Sequence, residues 1–250
     1  MGQPGSIEGI ARGLSQALTY VFEVHKTSIQ VHGRSPDWTP LQWANNLSLG
    51  VFQSSLTAGF VFQTYFAVYY SISETQLSAL ASPIASFVTS GIKIPIGNCM
   101  RVVQASPKLA PTIIHAGLAI TKNRGIHGLY SGYMLSLIED IIEMDVRTRL
   151  YIAGMHHSRG HENTPIRGFA IGAVAGAVAA AITTPFDTMR AHLAHHAAHT
   201  KMKTSNLETF IKLQRQSGGL YRGVRLRALS TGIKAALFYA IVEGLQVASV

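Results

Sequence analysis

Acid and base pairs three residues apart are the first features of this chain that could do chemistry. Glu23 precedes Lys26, and Asp187 precedes Arg190; on helices that converge in a bundle, such charges are expected to reach an adjacent helix rather than each other. A second group is Glu139, Asp140, Glu143 and Arg147, which fall within about 100° of one another around a helix, with Asp145 and Arg149 roughly opposite. His192, His195, His196 and His199 recur at spacings of three and four, so two imidazoles on one face could chelate Zn²⁺. No carboxylate or thiol accompanies them, which favours a solvated helix end, and no metal site is expected. The chain holds no nucleophile–base constellation, phosphate-binding glycine loop or nucleotide-hydrolysis motif, so no enzyme is expected.

The acid–base pairs belong to a larger repeating unit. PFDTMR at Pro185 to Arg190 is its sharpest copy, and VFEVHKTSIQ (Val21 to Gln30) aligns to it without gaps. PIGNCMRVVQ (Pro95 to Gln104) keeps the proline, and shares its final glutamine with the first copy, but has Gly97 and Met100 where the acid and base should stand. Downstream, GLYSG ends at Gly132 and GLYRG at Gly223, at nearly equal distances from Pro95 and Pro185. The corresponding glycine of the first copy is expected at Gly50. Three copies at unequal intervals suit a closed threefold arrangement better than an exact solenoid.

PFDTMR followed by GLYRG resembles the mitochondrial carrier family, and the resemblance extends over nearly all of the chain. It implies an all-α membrane protein: six transmembrane helices in three carrier-type repeats, with short amphipathic surface helices between the helices of a repeat. The single bundle would comprise residues 1–74, 75–160 and 161–250 as repeats, lying multi-pass in the mitochondrial inner membrane. In the family the motif charges form a ring of ion pairs that shuts the matrix side, a role falling here to Glu23, Lys26, Asp187 and Arg190. Substrate contacts carry over to Thr57 with Ala58, Glu139 with Asp140, and Ser230 with Thr231. Structural cardiolipin, the one bound group expected, would sit at the starts of the even-numbered helices, with Gly132 and Gly223 offering backbone N–H groups and Tyr130 and Tyr221 seating acyl chains.

Composition agrees with a membrane setting. Charged residues make up 13% of the chain and hydrophobic ones 47%, whereas soluble domains carry roughly a quarter charged. Spans are expected at 5–30, 49–72, 76–104, 132–155, 166–195 and 223–247, each punctuated by polar or small residues that would line a polar interior or pack on neighbours. Pro107 to Asn123 and Ser205 to Ser217 have the apolar spacing of surface helices. The net charge of +9 is dispersed rather than gathered on one stripe, so an anionic membrane is the expected counterpart and nucleic acid is not. Cys99 is alone, which excludes an internal disulfide, and nothing at the N-terminus reads as a cleavable signal. Rows at intervals of four, Gly168-Gly172-Gly176 and Gly9-Gly13-Ala17, suggest close helix packing.

The motif charges bear on function. With Gly97 and Met100 in the second copy, the ring keeps one inter-helix pair, since each link draws on neighbouring repeats. Arg101 could substitute, although one step along a helix turns a side chain about 100° away. At the other end, where carriers place an aromatic-acid-x-x-base pattern, no copy retains both charges, and Glu243 is displaced from its slot. The contact site reads as acidic: Glu139 and Asp140 either bind a cationic or zwitterionic solute or are neutralised by Lys93 or Lys234. Asp145 and Arg149 either snorkel at the membrane surface or meet another protein. The expectation is a degenerate carrier serving as a non-transporting accessory subunit among other inner-membrane proteins; the alternative is an active carrier of a small cationic or zwitterionic metabolite.

Overall fold

A computed structural model describes residues 6–74, 81–157, 165–202, 205–216 and 218–248. Its described residues form helices and connecting turns, with no strand among them. The long helices are α1 (Ser6–His32), α2 (Pro40–Ser73), α3 (Ala81–Ala105), α5 (Tyr133–His157), α6 (Pro165–His199) and α8 (Val224–Ala248). Two short ones, α4 (Ile113–Arg124) and α7 (Asn206–Gln214), occupy the expected surface segments. Residue 5 and residues 76–80, which open the expected first and third spans, lie outside the described residues. By length and hydropathy, one described helix, Ile166–His199, is apolar enough to cross a membrane.

The short helices begin where local chemistry tells them to. The Thr112 hydroxyl accepts from the His115 amide to cap α4, and Gly125, at φ 67°, ends it. Ser205 and Glu208 form a reciprocal capping box at the start of α7. Each short helix buries one side: Ala116 and Ile120 of α4 join Val102, Val103 and Ala194, and Leu213 of α7 joins Leu135, Met189 and Leu193. GLYSG and GLYRG adopt one shared conformation. In both, a turn of 3₁₀ helix ending at the tyrosine is followed by a glycine with positive φ, Gly132 at 76° and Gly223 at 77°. The carbonyls of these glycines accept the first bonds of α5 and α8, so each glycine is a helix N-cap.

The chain after the first motif copy is built differently, which corrects the place expected for its turn. Gly50 lies inside α2, which starts at Pro40 rather than at residue 49 and is continuous through that position. The positive-φ glycine of this stretch is instead Gly33, at 77°, directly after α1. What Gly50 supplies is room: an added Cβ would stand 2.0 Å from the Tyr20 hydroxyl, and Tyr20 is buried with Val24 and Met100. Gly50→Ala is therefore expected to cost about 1–3 kcal/mol by overpacking, read as a lower unfolding midpoint in detergent. The cost should shrink in a Tyr20→Leu background, and equal midpoints for Gly50→Ala and the parent would refute the assignment.

Packing runs from α1 to α2 to α3, and from α5 to α6 to α8 and back to α1, with a sparse seam between α3 and α5. The tightest contact is α6 on α8, which the row of small residues makes possible. A Cβ on Gly176 would meet the Thr231 carbonyl at 2.9 Å, and one on Gly232 would meet the Ala173 carbonyl at 2.9 Å. Pro95 and Pro185 both sit inside continuous helices. Around them α1, α3 and α6 approach one another, joined by Thr27 donating to Gln104 at 2.8 Å and Gln30 donating to Asp187 at 2.9 Å.

Candidate functional site

The repeated motifs bring their charges to one buried level of the bundle. Lys26 of α1 pairs with Asp187 of α6 at 3.1 Å, and this is the one link between helices that both partners draw from the motifs. The two leftover charges find partners elsewhere. Glu23 takes Lys26 of its own helix at 2.8 Å and Lys234 of α8 at 2.9 Å; Arg190 takes Glu139 of α5 at 2.5 Å. Thus the loss of an acid and a base from the second copy leaves no motif charge unpaired, where an isolated one would cost several kcal/mol. Arg101 reaches Asp187 at 2.7 Å in spite of its angular offset, because a long flexible side chain spans the arc. Met100, in the position of the missing base, packs with Tyr20 and Val24.

Arg227 is the hub of this level, and sequence reasoning passed over it. Its guanidinium contacts Glu139 at 2.9 Å, Glu143 at 3.0 Å and Asp187, and also donates to the Ala180 carbonyl at 3.1 Å and the Thr183 hydroxyl at 2.9 Å. Its side chain is only 4% exposed. The planar fork of an arginine can satisfy several acceptors in this way, which the point charge of a lysine cannot. A signal was available: a charge inside an apolar span, one turn after the capping glycine Gly223, calls for a buried partner.

The positions counted as substrate contacts divide into two sets. Glu139 is bound by Arg190 and Arg227, Asp140 by Lys93 at 2.6 Å, and the Ser230 hydroxyl stands 3.1 Å from a Glu23 oxygen. Thr231 lies half-buried where α8 meets Gly176. Thr57 donates to the Gln53 carbonyl of its own helix at 2.7 Å; Ala58 beside it is half-buried, and α2 packs on α1 and α3. Of the two basic residues expected as internal partners, Lys93 pairs with Asp140, whereas Lys234 serves Glu23, and Glu139 is held instead by Arg190 and Arg227.

At the opposite end the described residues show no ion pair between helices. Arg149 pairs with Asp145 of its own helix at 2.7 Å, and both side chains are more than half exposed. Tyr151 of α5 instead stacks on Tyr239 of α8, with ring centroids 3.8 Å apart. The side chain of Glu243 lies outside the described ones.

Three of the four histidines are not at a solvated helix end, while the last, His199, is exposed and stacks on His195 of its own helix. His192 bonds the Gln30 carbonyl at 2.7 Å, His195 approaches the Ser106 hydroxyl at 3.2 Å and the His32 ring edge-on, and His196 lies 2.5 Å from Arg124. They tie the end of α6 to α1, α3 and α4. Among the described residues no group of three or more His, Cys, Asp or Glu side chains could hold a metal ion.

Long helices stitched by buried ion pairs at one level, with capped short helices packed against them, make the described residues an all-α bundle. Residues 161–248 match the sequence model of the family described as mitochondrial carrier protein, which supports membership of the mitochondrial carrier family. The family comprises membrane transport proteins of mitochondria rather than enzymes. No curated protein matches the chain.

Proposed function

We propose that this carrier-fold protein is a six-span, three-repeat bundle of the mitochondrial inner membrane acting as a non-transporting accessory subunit of a larger membrane complex. The observation that carries this reading is the merging of contact site and gate: Glu139 and Ser230 are bonded to side chains of the same buried network, and Asp140 beside them is paired with Lys93. A solute could take these groups only by breaking pairs that hold α1, α3, α5, α6 and α8 together. Alternating access needs two closures of comparable free energy. Here one end is locked through Asp187 and Arg227, while at the other Tyr151 stacks on Tyr239 and Arg167 donates to the Met155 carbonyl. A bias of about 2.7 kcal/mol already holds the minor state near 1%. The carboxylates that a cationic or zwitterionic solute would need are occupied, so no observation favours that alternative.

The exposed Asp145–Arg149 pair supplies the contact to the complex. It interrupts an otherwise apolar outer face of α5, where Ile141, Met144 and Ile152 are also exposed. Cardiolipin would bind at the starts of α5 and α8, with Tyr130 and Tyr221 beside it, and more weakly in the first repeat, whose Gly50 is helical. Blue-native electrophoresis in mild detergent, with a crosslinker at position 149, should show a species far above the 27.0 kDa of the chain and a crosslink to another protein. A species at monomer mass together with saturable solute exchange by the purified protein would overturn the proposal.

A further inference from the structure

We propose that the end of the bundle formed by α4 and the turn after α6 docks an acidic segment of another subunit, one that sets carboxylates beside apolar side chains. Resting on the subunit reading above, this second contact is distinct from the one at Asp145 and Arg149. Positive charge that is dispersed along the sequence gathers at one end in the structure. Beyond the buried ion-pair level Lys108, Lys122, Lys201, Lys212 and Arg215 are all exposed. The only exposed carboxylates described there are Asp37 and Glu208, and both are engaged. Asp37 pairs with Arg34 at 3.4 Å, and Glu208 closes the capping box of α7.

The patch is held together by Arg124. From the end of α4 its Nε donates to the Thr200 carbonyl at 3.1 Å and its Nη2 to the Met202 carbonyl, while Asn123 donates to the Ala198 carbonyl at 2.6 Å. The end of α4 is thereby strapped to the end of α6 and to the turn that follows. Two apolar side chains stand out from this strapped segment, Ile126 at 70% exposure and Met202 at 75%. Lys122, four residues before the first, and Lys201, directly before the second, are both exposed, and neither pairs with a described carboxylate. Aliphatic side chains accompanied by unpaired cations have the make-up of a protein docking surface, with an apolar centre and a charged rim.

Charge complementarity selects the occupant. With the neighbouring carboxylates engaged, a partner's Asp or Glu side chains meet no internal competitor for Lys122 and Lys201. Lipid headgroups are anionic too, but α6, at 35 residues, is about 52 Å long, against about 40–45 Å for a bilayer with its headgroups. The charges and histidines of α6 from Asp187 onward lie at this end, so the turn beyond His199 continues past the membrane into water. Nucleic acid is anionic as well, but Ile126 and Met202 add nothing to the binding of a phosphate backbone, whereas they can be buried against the apolar residues of a protein segment.

The experiment places a photoreactive side chain at position 202 of the full chain in its native membrane, with position 149 labelled in a parallel sample, and sequences the crosslinked peptides by mass spectrometry. Position 202 should crosslink to a peptide of another protein in which Asp and Glu outnumber Lys and Arg. Lys122→Glu with Lys201→Glu should lower the yield from position 202 roughly tenfold or more, because like charges then face each other. Lys122→Gln with Lys201→Gln should lower it less. Since both side chains are exposed, the unfolding midpoint of the glutamate variant in detergent should stay at the parent value, which separates lost docking from lost folding. A crosslink confined to lipid, an adduct removed by nuclease, a peptide without an acidic excess, or a yield indifferent to charge reversal would overturn the docking surface. Silence at position 202 with a protein crosslink at position 149 would overturn this surface alone; silence at both, with a species at monomer mass, would overturn the subunit reading with it.

Discussion

Arg227→Met is expected to lower the stability of the bundle by about 3–5 kcal/mol, the usual cost of removing one partner from a buried ion pair. The substitution keeps the volume of an unbranched side chain but strips Glu143 of its shortest contact and Glu139 and Asp187 of one cation each. The Ala180 carbonyl and the Thr183 hydroxyl lose a donor as well. The effect would appear as a large drop in the fraction of protein remaining soluble after heating in detergent. Adding Glu143→Gln should recover part of the loss, because the least compensated of the three carboxylates is then neutral. A midpoint for Arg227→Met indistinguishable from that of the parent would show that the hub carries no stability.

Asp187→Asn is the complementary case, with an expected loss of similar size. One carboxylate, 1% exposed, stands among Lys26, Arg101 and Arg227, and an amide in its place leaves three cations facing one another around a group without charge. Arg101→Met by itself should destabilise, since it removes a 2.7 Å ion pair. In the Asp187→Asn background the same substitution should stabilise, since it then removes repulsion. A double-mutant cycle reads this change of sign directly, and additive effects of the two substitutions would refute the shared-carboxylate arrangement.

Helices and their boundaries were largely legible in the amino-acid sequence because their signals are local. Ser205 opens α7 as expected, and the GLYxG strings mark the starts of α5 and α8 within a residue, whereas α4, expected from Pro107, starts only at Ile113 behind its cap Thr112. The first repeat broke the pattern. Gly50 resembles a turn glycine by position alone, yet the residues before it continue as helix, and its lack of a side chain answers to Tyr20 on another helix. Backbone freedom and packing room both select glycine, and neighbouring residues in the chain do not distinguish them.

Which residues carry charge at the buried level, and that some motif charges would lack motif partners, followed from residue types and spacing alone. What the tertiary structure decided is who pairs with whom. Glu23 and Lys234, Arg190 and Glu139, and Arg227 with three carboxylates are each joined across long stretches of sequence. Helical periodicity assigns a side chain to a face; it does not say which helix stands opposite, or at what height. For the same reason the partners of Glu139 and Asp140, Arg190 with Arg227 and Lys93, are set by which helices stand opposite α5. Ion-pair energies depend on distance and on exclusion from water, and only the packed bundle sets both.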